Sequence, residues 1–491
     1  MPVDISEMIN FKPVIRVIGL LITIIGAFML LSIGFSWYYQ SGDAWALMIS
    51  GFICISAGVP AWLLIRKDAA RNIKKREGYL IVAMGWLSMV IFSALPYLIS
   101  GVIPGIPDAI FESVSGMTTT GASVLTDIES VPEGILFWRS LTQWIGGMGI
   151  IVLTVAIFPL LGIGGIELFV AEAPGPTSDK LHPRIRETAK RLWLIYVSLT
   201  GILVVILYLL GMNFFDAFNH GLTTMATGGF STKNASMAHF DQPSIQYVIV
   251  FFMFLAGTNY TVLYYTLKRR FSNVWHSDEF RAYLYIVLAA TLIVTARVYS
   301  VTNHSLEQSF RDSIFQIVSL ITTTGFVSAD YTAWSSGLTM FFFIILFVGA
   351  CAGSTSGGIK IIRHLVFLRN SFYEFKRILH PRAIVPLKVN QKTVRGKVIT
   401  HIIIFLLLYL SLFLFGSIVL SVMGYDFMTS VGAVATSLGN VGPGIGAVGP
   451  VDNFAWLSNG AKLFLSFLML LGRLELFTIL VLFTPYFWKT N

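Results

Sequence analysis

Charge is scarce in this sequence: 12% of its 491 residues are Asp, Glu, Lys or Arg, against 55% that are hydrophobic. So few ionisable groups cannot coat a water-soluble globule of this size, and an ordinary soluble enzyme is excluded in favour of a chain that lives in a lipid bilayer. Cysteine is nearly absent. Cys54 and Cys351 both fall inside apolar runs, which excludes a disulfide framework and a thiolate metal site and leaves the redox compartment unread. Hydrolytic motifs are missing as well: there is no Gly-x-Ser-x-Gly, no His-Glu-x-x-His and no aspartate cluster, so a membrane-embedded enzyme is the weaker reading. The glycine-rich string "LGIGGIE" sits at an apolar helix end instead of between a strand and a helix, so no nucleotide fingerprint occurs. No series of intramembrane Asp, Glu and His suggests a proton relay, which favours channel-like conduction over symport with a proton or sodium ion.

Long apolar runs are abundant. A span of the hydrocarbon core takes about 20 residues, and ten candidates occur at 17–39, 44–65, 80–99, 135–161, 192–212, 247–267, 283–301, 338–368, 398–423 and 461–487. The first is too long for a signal-peptide core and precedes no small-residue cleavage site, so it reads as a retained helix. Basic residues gather in Arg66–Arg76, Lys180–Arg191, Lys268–Arg281 and Lys360–Lys397, in alternate loops. The intervening loops carry acids such as Asp127, Glu129, Glu133, Asp426 and Asp452. By the positive-inside rule the basic loops and both termini are cytoplasmic, and the net charge of +9 is a topology signal, not a nucleic-acid site.

Hidden between these runs is a repeat. "DAIFESVSGMTTTGAS" (108–123), "DAFNHGLTTMATGGFS" (216–231), "DSIFQIVSLITTTGFVS" (312–328) and "DFMTSVGAVATSLGNVGPG" (426–444) align from an aspartate to a glycine: Asp108 to Gly121, Asp216 to Gly228, Asp312 to Gly325 and Asp426 to Gly439. Each is too short and polar to span, and each lies on the side the charges make external. The aspartate suits a helix N-cap, with about three turns following at 1.5 Å per residue before the glycine breaks the helix. Non-helical backbone at membrane depth is tolerated only where protein or a watery cavity satisfies it. Four such segments on one axis would supply rings of carbonyl and hydroxyl oxygens able to replace the water around a monovalent cation, glycine letting the backbone turn without a clash. The predicted fold is therefore all-α and polytopic, with four helix–pore-loop–helix repeats after two extra N-terminal helices. Its segments are 1–76 (extra helices), 77–190 (filter near 118–123), 191–280 (near 225–230), 281–395 (near 322–327) and 396–491 (near 436–442).

The strings "TTTGA", "ATGGF", "TTTGF" and "SLGNVGPG", with "FWRSLTQWIGGMGI" (137–150), resemble the Trk/Ktr/HKT superfamily of potassium transporters, and within it the bacterial Trk-type membrane subunits, over essentially the whole chain. The resemblance implies potassium and rubidium uptake across a bacterial inner membrane, a homodimer, and a cytosolic NAD/ATP-type nucleotide-binding regulatory subunit, with no cofactor on this chain beyond the transported ion. It implies an ion filter at Thr119, Thr120, Gly121, Ala226, Thr227, Gly228, Thr323, Thr324, Gly325, Leu438, Gly439, Asn440 and Val441. Relatives with serine at the first filter glycine tend towards sodium, so Gly121 favours potassium. The fourth repeat departs from the pattern, with Leu438 where the others have threonine.

The eighth run is interrupted by "GACAGSTSGGIK" (349–360). Glycine costs about 1 kcal/mol per site relative to alanine in a helix. Gly349 and Gly353 could serve close helix packing, but Gly357 and Gly358 beside Ser354, Thr355 and Ser356 point to an unwound intramembrane loop. The resemblance makes this loop a gate below the filter. Arg473 and Glu475 lie deep in the last run, where an ionisable group faces the interior or a pathway. Two residues apart on a helix they cannot face each other, so each needs another partner. Arg473 is expected to border the pathway beneath the filter. His220 is expected to hydrogen-bond within its pore helix, Arg139 and Gln143 to pack against one, and Arg297 to snorkel to the interface.

Overall fold

The computed structural model describes residues 9–65, 75–160, 185–383, 385–394 and 396–488. The basic clusters around 66–74 and 180–184 lie outside them. Among the described residues the chain is helical except for loops and a hairpin pairing Lys388–Val389 with Lys392–Thr393.

All ten apolar runs are found, in three forms. Six are continuous helices long enough to cross a membrane: Phe11–Tyr39, Ala44–Leu63, Arg76–Ser100, Lys190–Leu209, Asp278–Val301 and Gly396–Val422. Another, Glu133–Leu160, is a helix of 28 residues. The remaining three are broken. Pro243–Gly257 and Tyr260–Leu267 meet at 109°, and Asn459–Arg473 and Phe477–Phe483 at 107°. Helix Ser336–Ile345 is separated from Ile361–Leu379 by a non-helical stretch, as the glycine-rich sequence requires.

The break after Gly257, expected to be continuous helix, has an identifiable cause. Asn259 caps the second half by accepting from the Thr261 N–H at 2.7 Å. The glycine-rich loop supplies the partners that the helix loses: Cys351 N–H donates to Gly257 O at 3.1 Å, and Tyr260 N–H donates to Gly353 O at 3.1 Å. Backbone groups freed in hydrocarbon are thus satisfied by protein. The extra N-terminal helices pack on small residues: a Cβ at Gly26 would lie 2.8 Å from Gly51 O, and one at Gly58 would lie 2.5 Å from Thr23 Oγ1.

Between each pair of long helices runs a short one, Ile106–Met117, Phe214–Met225, Leu306–Ile321 and Phe427–Gly439, buried over most of its length. These are the four pore helices. Their caps correct the sequence expectation. Only Asp426 is an N-cap, accepting from Thr429 N–H at 3.1 Å. Asn213 and Ser305 cap the second and third helices, and Gly105 precedes the first. Asp108 and Asp216 fall in first turns, and Asp312 lies in the second turn of its helix, because these helices start earlier than the aspartate.

The repeats close in cyclic order. Glu133–Leu160 packs on the first and second pore helices, Pro243–Gly257 on the second and third, and Asn459–Arg473 on the fourth and first.

Candidate ion pathway

Beyond each pore helix the backbone makes the same step. Thr119, Thr227, Thr323 and Asn440 are left-handed, with φ of 54°, 52°, 54° and 53°. The next residue donates its N–H five residues back: Thr120 to Ser115 O, Gly228 to Thr223 O, Thr324 to Ser319 O and Val441 to Thr436 O, at 2.9, 2.9, 2.8 and 3.0 Å. A left-handed glycine follows each time: Gly121, Gly229, Gly325 and Gly442, with φ of 85°, 76°, 78° and 90°.

This geometry revises the register of two repeats. The glycine equivalent to Gly121 and Gly325 is Gly229, not Gly228, and Gly442, not Gly439. Gly439 is the last residue of its helix, and Leu438 lies inside that helix. Ala226 is the C-cap equivalent of Thr118 and Thr322. A constant offset of 13 residues from the aspartate reaches Gly121, Gly229 and Gly325, and the count fails only in the fourth repeat, where Asp426 is itself the N-cap and Gly442 lies 16 residues on. Val441, not Leu438, is the counterpart of Thr120.

The four steps touch in a ring. A Cβ on Gly121 would lie 2.2 Å from Gly228 O, one on Gly229 1.9 Å from Thr324 O, one on Gly325 2.1 Å from Val441 O, and one on Gly442 2.8 Å from Thr120 O. Each glycine therefore faces a carbonyl of the next repeat, and the fourth closes on the first. Among the described residues the carbonyls of Thr120, Thr324, Val441 and the four glycines accept no hydrogen bond, while Gly228 O accepts from Gln143 Nε2 at 2.7 Å. Unpaired carbonyls are rare in protein interiors. Gathered in a ring at the C-terminal, electronegative ends of four helices, they suit a cation.

On the loop side of this ring lies a level of side-chain oxygens. Thr119 Oγ1 is buried with no protein partner. Thr227 Oγ1 donates to Ala226 O at 2.6 Å and lies 3.3 Å from Thr355 Oγ1. Thr323 Oγ1 accepts from Gly357 N–H at 2.6 Å. Asn440 takes the fourth place, its Nδ2 donating to Thr120 Oγ1 at 3.0 Å and to Met469 O at 2.9 Å.

The glycine-rich loop docks against this level. Gly349 N–H to Ile359 O (2.9 Å) and Ile361 N–H to Ala350 O (3.1 Å) close its neck. Gly353 and Gly358 take left-handed φ of 72° and 65°. Ser354 and Ser356 pair through their hydroxyls at 2.8 Å. Thr355 Oγ1 also donates to Met225 O at 3.1 Å. A Cβ on Gly357 would lie 2.6 Å from Gly439 O.

Arg473 and Glu475 are not on one helix. The chain breaks between them and Phe477, with Glu475 and Leu476 at φ 61° and 43°. Arg473 donates to Thr355 O at 2.8 Å, Gly146 O at 2.7 Å and Gly147 O at 2.9 Å, tying the loop to the first repeat. Glu475 pairs with Arg363 at 2.5 Å, just past the loop. One break thus holds both the tip and the exit of the loop.

Three charged groups in this assembly were missed from sequence. Lys360, read as the start of a cytoplasmic loop, is buried and donates to Ser356 O and to Ser356 Oγ, the latter at 3.0 Å. Glu279 accepts from Ala352 N–H at 2.7 Å and Ile362 N–H at 3.3 Å. Arg363 stacks 3.8 Å over the Phe405 ring. Their signal was charge abutting an apolar run. His220 bonds Asp216 O at 2.8 Å within its own helix and Ser231 Oγ at 2.9 Å. Among the described residues no group of three His, Cys, Asp or Glu could hold a metal ion.

The revised register is testable. Gly442→Ala forces a side chain into left-handed backbone and towards Thr120 O. Gly439→Ala meets its nearest atom, Val441 Cγ2, at 3.2 Å and carries no such strain. Cation uptake should fall about tenfold or more with Gly442→Ala, as expected for a strained site of 1–3 kcal/mol, and change little with Gly439→Ala. The reverse ranking would restore the sequence register.

The TrkH family model, described as a cation transport protein, matches residues 44–489. The chain is similar to the Trk system potassium uptake protein TrkH of Escherichia coli, at 39% identity over 98% of this chain and 100% of that one. It is similar also to TrkG of Escherichia coli, at 36% identity over 98% and 99% of the respective chains. The crystal structure of the potassium transporter TrkH from Vibrio parahaemolyticus superposes with a TM-score of 0.87 at 36% identity, over 98% of this chain and 100% of that one. With a cyclic carbonyl ring, an intramembrane loop beneath it and this likeness over the full length, the chain belongs to the TrkH family of cation transport proteins.

Proposed function

We propose that this protein is the membrane subunit of a potassium-uptake system, a transporter and not an enzyme, passing potassium and rubidium inward through the ring at Gly121, Gly229, Gly325 and Gly442. The observation that carries this reading is the closed cycle of carbonyls, three of the four without a hydrogen-bond partner among the described residues, whose dipoles replace an ion's hydration shell without a fixed counter-charge. A negative-inside membrane supplies about 2.3 kcal/mol per charge per 100 mV for entry. The reading places the chain in a bacterial inner membrane with both termini cytoplasmic, conducting without a coupled proton or sodium ion. The glycine-rich loop is the gate. Purified protein in liposomes with an inside-negative potential should take up potassium and rubidium well ahead of sodium. Equal uptake of the three ions, or none, would remove the potassium reading.

The gate leads directly into helix Ile361–Leu379, the small hairpin and the start of helix Gly396–Val422, and along this stretch Lys376, Arg382, Lys388, Lys392 and Lys397 are exposed. This surface is where a nucleotide-binding cytosolic subunit would pull, in an assembly built on a homodimer. Changing these five residues to glutamine should leave basal uptake intact and abolish the response of flux to nucleotide when the partner is added. A full nucleotide response in that variant would place the partner elsewhere.

A further inference from the structure

The second repeat is the one whose filter reads Gly228 where the others have Thr120, Thr324 and Val441. Left-handed backbone does not explain this glycine, since Gly228 has no positive φ. Space does. A Cβ at Gly228 would lie 2.3 Å from Gln143 Cδ and 2.4 Å from Gln143 Oε1. The side-chain amide of Gln143, from the long helix of the first repeat, fills the slot that the residue's own side chain fills in the other three.

There it bonds the filter on both sides. Nε2 donates to Gly228 O at 2.7 Å, and Oε1 accepts from Phe230 N–H at 3.0 Å. These two backbone groups flank Gly229, the left-handed glycine. The first and third repeats stiffen the same place differently, with hydroxyl pairs Thr118–Thr120 and Thr322–Thr324, each at 2.7 Å. Ala226 and Gly228 cannot form such a pair.

One turn along the same helix, Arg139 extends the brace. It donates to Ser231 O at 3.0 Å, and its guanidinium lies 3.5 Å over the Phe230 ring. Its charge is balanced by Glu112 of the first pore helix at 2.6 Å, both groups being fully buried. Glu112 in turn accepts from Ser123 Oγ at 3.0 Å and from Val124 N–H at 2.9 Å, just beyond Gly121. Segments following the first and second filter glycines are therefore fixed to each other through Glu112 and Arg139, one turn from Gln143 on the same helix. A half-satisfied buried network is costly, whereas a fully bonded one fixes a unique geometry.

We propose that Gln143, supported by Arg139 and Glu112, is a positioning residue for ion selectivity: its amide fixes the Gly228 carbonyl, and hence one quarter of the ring, at the spacing that discriminates among monovalent cations. The inference rests on the proposed function and adds to it the residue that sets the asymmetric second quarter. Direct contact with the ion is not part of its role.

The test measures rubidium and sodium uptake by the full chain in liposomes for the parent, Gln143→Glu, Gly228→Val, and Gly228→Val combined with Gln143→Ala. Gln143→Glu keeps the shape but sets an acceptor against Gly228 O, and loss of that hydrogen bond should lower the rubidium-to-sodium ratio about tenfold. The melting temperature should fall as well, since the new carboxyl is buried, so the ratio is read on protein that is still folded at the assay temperature. Gly228→Val alone should lose the ratio by clash. The double variant, which makes the second repeat resemble the fourth, should recover part of it. A discriminating parent whose ratio survives Gln143→Glu, or a double variant no better than Gly228→Val, overturns this inference alone. A parent that does not discriminate overturns the functional reading as well.

Discussion

Gly121→Ser should cost the protein its preference for potassium over sodium, lowering the uptake ratio about tenfold or more while the chain still folds and inserts. Two terms act together. Left-handed backbone at φ 85° penalises any residue with a Cβ, by about 1–2 kcal/mol. The Cβ would also sit 2.2 Å from Gly228 O, so one of the two backbones must retreat. Retreat opens the ring on one side, and a ring that no longer matches the larger ion loses its advantage over the smaller. Gly211→Ser separates the two terms. Its φ is 100° but nothing lies within 4 Å of the added Cβ, so it should show the stability cost without the change in ion preference. If Gly121→Ser preserves the ratio, the ring does not select. If Gly211→Ser reproduces its effect, strain and not the clash with the carbonyl is responsible.

The parts of this architecture that could be read in the sequence are those set by composition. A span must be apolar over its length, so all ten runs were visible. A re-entrant segment must carry polar residues where its neighbours carry none, so four of them stood out. What was hidden depends on which groups meet in space. Register within "SLGNVGPG" cannot be counted, because Asp426 caps its helix whereas the other three aspartates lie inside theirs, and within "ATGGF" composition alone does not choose between adjacent glycines, although a strict offset of 13 residues from Asp216 reaches Gly229. The φ values and the partner carbonyls select Gly229 over Gly228 and Gly442 over Gly439. The bend at Thr258–Asn259 was equally invisible, since its stability comes from Cys351 and Gly353, far along the chain. Arg473 and Glu475 stood out by their charge in an apolar run. Their partners, backbone carbonyls for one and Arg363 for the other, follow from a helix break that apolar composition does not announce. Gln143 was read as packing. It does pack, but in the place of a filter side chain.

Arg473→Ala should raise basal cation flux through the isolated protein, and the size of the rise follows from what the side chain holds. Among its interactions are hydrogen bonds at 2.8, 2.7 and 2.9 Å to Thr355 O in the loop and to Gly146 O and Gly147 O in the first repeat. Bonds from a charged donor contribute about 1.5–3 kcal/mol each, and about 1.4 kcal/mol is tenfold in an equilibrium. Losing the single bond to the loop should therefore shift its docked fraction by about tenfold or more. The loop's other anchors, Gly357 N–H on Thr323 Oγ1 and Thr355 Oγ1 on Met225 O, remain and limit the effect. Removing a fixed positive charge beneath the carbonyl ring acts in the same direction, since it repels the permeating cation. Arg473→Lys distinguishes these contributions: it keeps the charge but cannot span all three carbonyls, so a flux near that of alanine assigns the effect to the lost bridge, and a flux near the parent assigns it to charge. Glu475→Gln, which weakens the Arg363 pair without touching Thr355, should raise flux less than Arg473→Ala. Unchanged flux in well-folded Arg473→Ala would mean that the loop, though docked against the threonines, does not close the path.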